Sequence, residues 1–104
     1  MIIWNKEMKS MEHNPFISLN DETEITYSDL KNNNGAEYIT IYFETPNVNA
    51  VSGFNSASCD YPIGAITNIV GYTKQEVEIL KKYIDKAGSI ALEAAKEEAY
   101  CQVL

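Results

Sequence analysis

Polar and apolar residues alternate most regularly between Glu37 and Glu44. Ile39, Ile41 and Phe43 fall on one side, and Tyr38, Thr40, Tyr42 and Glu44 on the other. A period of two built from β-branched and aromatic residues predicts a half-buried strand. Upstream, Phe16 to Leu19 is a short apolar run followed by the turn-forming Asn20-Asp21-Glu22. Ile25 and Tyr27 then alternate with Thr26 and Ser28, which reads either as a strand or as the approach to a single helical turn capped by Ser28. Asn34-Gly35 tolerates the positive φ of a tight hairpin. Asn47 to Gly53 reads as a polar surface crossing. Phe54, Ala57, Cys59 and Tyr61 suggest a further short strand, and Ala65 to Val70 reads as strand or buried loop. Met1 to Met8 has room for a short strand, and Lys9 to Asn14 reads as loop.

After residue 72 the period changes from two to between three and four. Val77, Leu80, Ile84, Ala87, Ala91 and Ala94 form one apolar stripe, widened by Tyr83 and Ile90, with Lys74, Glu78, Lys81, Lys82, Asp85 and Lys96 on the other side. Thr73-Lys74-Gln75-Glu76 has the spacing of a capping box, and Tyr72 and Val77 that of a hydrophobic staple. Gly88 falls mid-helix, so either the helix bends there or the glycine admits a close neighbour. The stripe shrinks to alanine at Ala87, Ala91 and Ala95, a surface for the chain's own sheet or for a second copy. The expectation is an α+β domain spanning 1–104: a small antiparallel sheet from residues 1–70, with one long C-terminal helix packed on one face.

The chain has 104 residues and a net charge of −7, with eight lysines and no arginine. Arginine is the fork-shaped donor of phosphate clamps and guanine contacts, and net negative charge repels a polyanion, so direct nucleic-acid binding is not expected. Lys, Asn and Ile supply 30 of the 104 residues, the bias of an AT-rich genome, which accounts for part of the missing arginine. No run approaches the ~20 apolar residues of a membrane span. Met1 to Glu7 lacks the pattern of a signal peptide, so a cytosolic location is expected, in the protein's own cell or in a host.

Catalytic patterns are missing. No zinc cluster, Walker loop, dinucleotide fingerprint or nucleophile elbow occurs, and no cofactor or metal is expected. His13 is the single histidine, and Cys59 and Cys101 read as free thiols; a disulfide or a reactive Cys59 is the alternative. Acids stand out instead: Asp21, Glu22, Glu24 and Asp29 come without an intervening base, and residues 32–73 carry none. Such acids form either a solvated face or a surface aimed at a basic partner. Tyrosine is stiff, large and wettable, and it favours interfaces. Tyr38 and Tyr42 share their strand face with Glu44; either a second layer from residues 1–30 covers them, or they meet a partner.

The segment Gly53-Phe54-Asn55-Ser56-Ala57-Ser58-Cys59-Asp60-Tyr61-Pro62, followed by Gly71-Tyr72-Thr73 and the helix, resembles small proteins of low-GC Gram-positive bacteria and their phages. That group brings no catalytic residues. In size, acidity and lack of active-site motifs the chain is also similar in type to phage anti-defence proteins, including anti-CRISPR inhibitors. The expected function is therefore a non-enzymatic, phage- or mobile-element-encoded module that blocks a basic surface of a host nucleic-acid-handling protein. Asp21, Glu22, Glu24, Tyr38, Tyr42 and Glu44 would form its binding face. The alternatives are a small enzyme or ligand-binding protein with a pocket near Cys59, or a phage structural accessory protein.

Overall fold

A computed structural model describes residues 14–19 and 22–101, with the side chains of 100 and 101 outside that set. Six strands, β1 (Asn14–Ser18), β2 (Glu24–Tyr27), β3 (Lys31–Asn33), β4 (Ala36–Pro46), β5 (Phe54–Tyr61) and β6 (Ile66–Val70), precede helix α1 (Lys74–Cys101). The strands form one antiparallel sheet in the order β1-β2-β4-β5-β6, with β3 paired to the start of β4. The α+β expectation holds. Residues 14–30 do not form a second layer, because β1 and β2 extend the same sheet beside β4.

The alternation along β4 is the organising feature. Ile39, Ile41 and Phe43 are buried beneath the helix with Ile25, Tyr27 and Ala57, and meet Leu80, Ala91 and Ala95 from α1. Ser28 caps no helix. Its amide donates to the Thr40 carbonyl and its Oγ accepts from the Thr40 amide, both at 2.9 Å, so it is spent holding β2 to β4. Asn34 and Gly35 have φ of 56° and 94° and close the two-residue β3–β4 turn expected of Asn-Gly. β6 is not buried: Ile69 and Val70 are exposed on the edge of the sheet.

The capping box forms as its spacing predicts. The Thr73 amide donates to Glu76 Oε1 at 2.8 Å, and the Glu76 amide to Thr73 Oγ1 at 3.2 Å. Two stripe assignments change. Ile90 is exposed, and Lys96 leans back to within 3.9 Å of Glu37 on β4. Ala91 and Ala95 of the alanine stripe are buried against the chain's own sheet.

The helix runs unbroken through Gly88, and the close neighbour there is a side chain. A Cβ on Gly88 would lie 2.7 Å from Tyr61 Cδ2 and 2.9 Å from Cζ. Gly88→Ala therefore sets a helix-propensity gain of about 1 kcal/mol against an overpacking cost of roughly 1–3 kcal/mol. The expected result is a lower urea midpoint. In a Tyr61→Ala background the same substitution should raise the midpoint, and a loss of equal size there would show that the Tyr61 ring is not the obstacle.

Tyr27 ties the sheet to the last turns of the helix by donating to Glu98 Oε2 at 3.1 Å. Burial first, then the hydrogen bond and the charge of Glu98 with a smaller effect from Asp29, push its phenol up to about 12. The unfolded phenol titrates near ~10. The folded state therefore keeps this proton better, and the associated stability is full below pH 10 and drains away as pH rises towards 12. Stability of the wild type should fall more steeply than that of Tyr27→Phe across that interval, measured by urea titration at each pH.

Candidate functional site

The helix covers one side of the sheet; on the other side of β4 Thr40 is buried, Tyr38 and Tyr42 are half-buried and Glu44 is exposed. Pairing places Glu24 of β2 directly opposite Glu44 of β4, and Tyr42 between Thr26 and Ser58. Like charges directly opposite across an antiparallel pair repel. Glu24 accepts a long hydrogen bond from Ser18 Oγ at 3.4 Å. Neither carboxylate takes part in the two ion pairs seen among the described residues, Lys81–Glu78 and Lys96–Glu37. Glu22, in the turn before β2 with φ of 68°, joins Glu24 and Glu44 around an open groove of about 590 Å³ whose other walls include Pro46 and Phe54.

Of the six residues expected in a binding face, Glu22, Glu24 and Glu44 are thus brought together, and Tyr42 stands next to Glu44 on the same face. Asp21 lies outside the described residues. Tyr38 is not part of the groove: six residues of strand, roughly 20 Å, separate it from Glu44. Its end of the face is of mixed charge. Lys31 Nζ sits 6.0 Å from the centre of the Tyr38 ring and donates to Thr40 Oγ1 at 3.1 Å, and Thr40 Oγ1 donates to Asp60 Oδ1 at 2.7 Å.

One contributor escaped the sequence reading. The β4–β5 loop, read there as a polar crossing, carries Val48 and Val51 at relative exposures of 95% and 110%. Next to it, Phe54 pairs with Pro46 and is itself exposed, and Val70 on β6 lies opposite Ser56. Of these, Phe54, with Pro46, lines the groove that holds the carboxylates. Period counting misses the loop valines, because nothing in the order Asn-Val-Asn-Ala-Val distinguishes a valine held outward from one folded in.

The second reading places chemistry near Cys59. Cys59 is buried on the helix side of β5 and lines a cavity of about 200 Å³ with Ile66, Lys81, Ile84 and Asp85. Asp60, next in sequence, points to the opposite face and accepts from Thr40, so the structure separates the two. Burial, then the Asp60 charge, push the Cys59 thiol up, away from the reactive thiolate. In a Cys101→Ser background Cys59 is expected to react with iodoacetamide at neutral pH many-fold more slowly than a free thiol; reaction at the free-thiol rate would show an accessible nucleophile. His13 and the side chain of Cys101 lie outside the described residues.

A third cleft, of about 410 Å³, lies between the start of α1 and the ends of β1 and β4. It is floored by the hydroxyls of Thr23, Thr45 and Tyr72, which bond in a row at 2.7 and 2.8 Å. Glu76 reaches its rim but is already engaged by the Thr73 amide. Among the described residues no three of His, Cys, Asp and Glu are grouped to hold a metal ion, and no helix is long and apolar enough to cross a membrane.

Comparison with protein-family models, curated proteins and solved structures yields no match for the chain. The functional reading rests on the geometry.

Proposed function

We propose that this protein is a non-enzymatic binding module whose open sheet face occupies a basic surface of another protein. The observation that carries the reading is the groove, open among the described residues, in which Glu24 and Glu44 stand side by side with Glu22 in its wall and Tyr42 next to Glu44 in sequence. A cationic surface laid on this face would relieve the repulsion between the paired carboxylates, and the tyrosine would supply contact area at low entropy cost. Basic surfaces of this kind are characteristic of nucleic-acid-handling proteins. An inhibitor of such a protein, carried by a phage or mobile element and acting in the host cytosol, is the form we infer. The burial of Cys59 speaks for a binding role over an enzyme built on that thiol.

Affinity capture from host extract tests this reading. At low salt the wild type is expected to retain a basic protein that ~0.5 M salt releases, because screening shortens from about 8 Å at physiological strength towards 3 Å. Glu22→Lys/Glu24→Lys should retain much less of it. Equal capture by the variant, or capture indifferent to salt, would remove the acidic face from the function. A partner recovered only with assembled virions would favour a structural accessory role.

A further inference from the structure

The outward side of α1 is ordered by charge. At about 100° per residue, Lys82, Lys86, Ser89, Ile90, Glu93 and Glu97 fall within one arc of about 100°, and all six are exposed. Two bases hold the N-terminal half of this arc and two acids the C-terminal half. Each like-charged pair is spaced i, i+4, where like charges destabilise a helix. The order also runs against the helix dipole, which favours cations near the C-terminal end. The last turn of α1 holds no base, and Glu97 stands just before it. None of the four charged side chains takes part in an ion pair among the described residues; the pairs there join Lys81 to Glu78 and Lys96 to Glu37. Between the charges, Ser89, Ile90 and Ala94 open a shallow groove of about 350 Å³ bordered by Glu93 and Glu97.

We infer that this face is self-complementary and that two copies of the chain pair through it, their α1 helices antiparallel about a two-fold axis passing between Ser89 and Ile90. The charges fix the axis. Reversing the helix about that point sets Lys86 against the partner's Glu93 and Lys82 against the partner's Glu97. Symmetry repeats both contacts, so four opposite-charge pairs offset the like-charge spacing within each helix. The same axis lays the partner's Ile90 over Ser89, a large side chain against a small one at the groove. A parallel pair would put lysine on lysine and glutamate on glutamate, whereas antiparallel helices also set their dipoles head to tail. Each chain carries −7, but the four charges of the seam sum to zero, so the contact is not opposed locally. Any other partner would have to carry this order of charges in reverse; a second copy carries it by symmetry. Lys82 to Glu97 spans about 22 Å of helix, a short contact, so the dimer belongs to the weak, salt-sensitive class. The seam faces away from the sheet, and pairing leaves the groove of Glu24 and Glu44 open on both copies. The seam and the acidic groove therefore stand or fall separately.

Sedimentation velocity of the full chain over a concentration series tests the seam. At low salt the wild type is expected to move from monomer towards dimer as concentration rises, and to return to monomer at ~0.5 M salt, where screening shortens towards 3 Å. Lys82→Glu/Lys86→Glu and Glu93→Lys/Glu97→Lys should each weaken self-association by about 10–100-fold, because every opposite-charge contact becomes a like one. An equimolar mixture of the two variants should recover the dimer. All four residues are exposed, so each variant should keep the helix and the thermal midpoint of the wild type. Cross-linking in a Cys101→Ser background reads the orientation. Ser89→Cys lies at the axis and should oxidise to a covalent dimer many-fold faster than Glu97→Cys, which is roughly 22 Å along the helix from its symmetry mate. A monomer at every concentration in low salt overturns the seam. So does a dimer that neither charge reversal weakens, or one in which Glu97→Cys cross-links as readily as Ser89→Cys, the mark of a parallel pair. Glu22→Lys/Glu24→Lys should dimerise as the wild type does; if it loses the dimer while the helix variants keep it, association runs through the acidic groove and not through α1.

Discussion

Phe43→Ala is expected to lose about 3–5 kcal/mol, a large share of the roughly 5–15 kcal/mol that holds a domain of this size together. Phe43 has no exposed surface; it lies mid-sheet between Ile25 and Ala57 with the helix over it. The lost transfer energy and the cost of the cavity left behind add. The informative control is the next residue. Tyr42 is half-buried on the opposite face, and Tyr42→Ala should cost near the average for a point substitution, about 1 kcal/mol. Urea midpoints at constant m-value measure both. A loss at Tyr42 as large as that at Phe43 would mean that the open face is a second core, closed by some other part of the chain. The face would then be unavailable to any partner.

The contrast between these neighbours was legible in the sequence because both halves of the signal are local. A strand's period of two fixes which side chains share a face, and a capping box fixes where a helix starts, whatever the rest of the chain does. Asn34-Gly35 belongs to the same class: its two positive φ angles are a property of the turn. β3 was not legible, since Lys31-Asn32-Asn33 has no apolar pattern and is a strand only because the turn folds it back on Ala36 to Tyr38. β6 has the composition of a buried strand, yet it ends the sheet with Ile69 and Val70 in solvent. Strand order decides that, and order is a tertiary fact. Gly88 likewise announced a close neighbour without saying that it was the Tyr61 ring.

The binding face divides along the same line. Acids and tyrosines were visible as residues, and the outward side of β4 followed from its alternation. The register was hidden. Only pairing β2 with β4 sets Glu24 against Glu44, and only the turn at Glu22 brings a third carboxylate to the groove. The same register leaves Tyr38 beside Lys31, far from the acids with which composition had grouped it.

Reversing Glu22 and Glu24 to lysine should slow association with a basic partner by roughly 10–100-fold at low ionic strength, with little change in dissociation. Steering needs charges that act together. At physiological salt the screening length is about 8 Å, so carboxylates sharing one groove count and scattered ones do not. The fold should survive the exchange. Glu22 and Glu24 are both exposed, and a lysine at 24 would face Glu44, replacing a like-charge pair with an opposite-charge one worth about 0.2–1 kcal/mol. A slower encounter by a protein no less stable than the wild type is thus the expected signature. Tyr42→Ala should do the reverse: association nearly unchanged, and dissociation faster by about 30-fold, if the ring is an anchor worth ~2 kcal/mol at the centre of the contact. Stopped-flow or surface-binding kinetics at two salt concentrations separate the two effects. Should Glu22→Lys/Glu24→Lys associate at the wild-type rate with the wild-type salt dependence, these carboxylates do no steering. The interface would then lie on the helix or around Cys59, and the pairing of Glu24 with Glu44 would be a repulsion the sheet tolerates without using it.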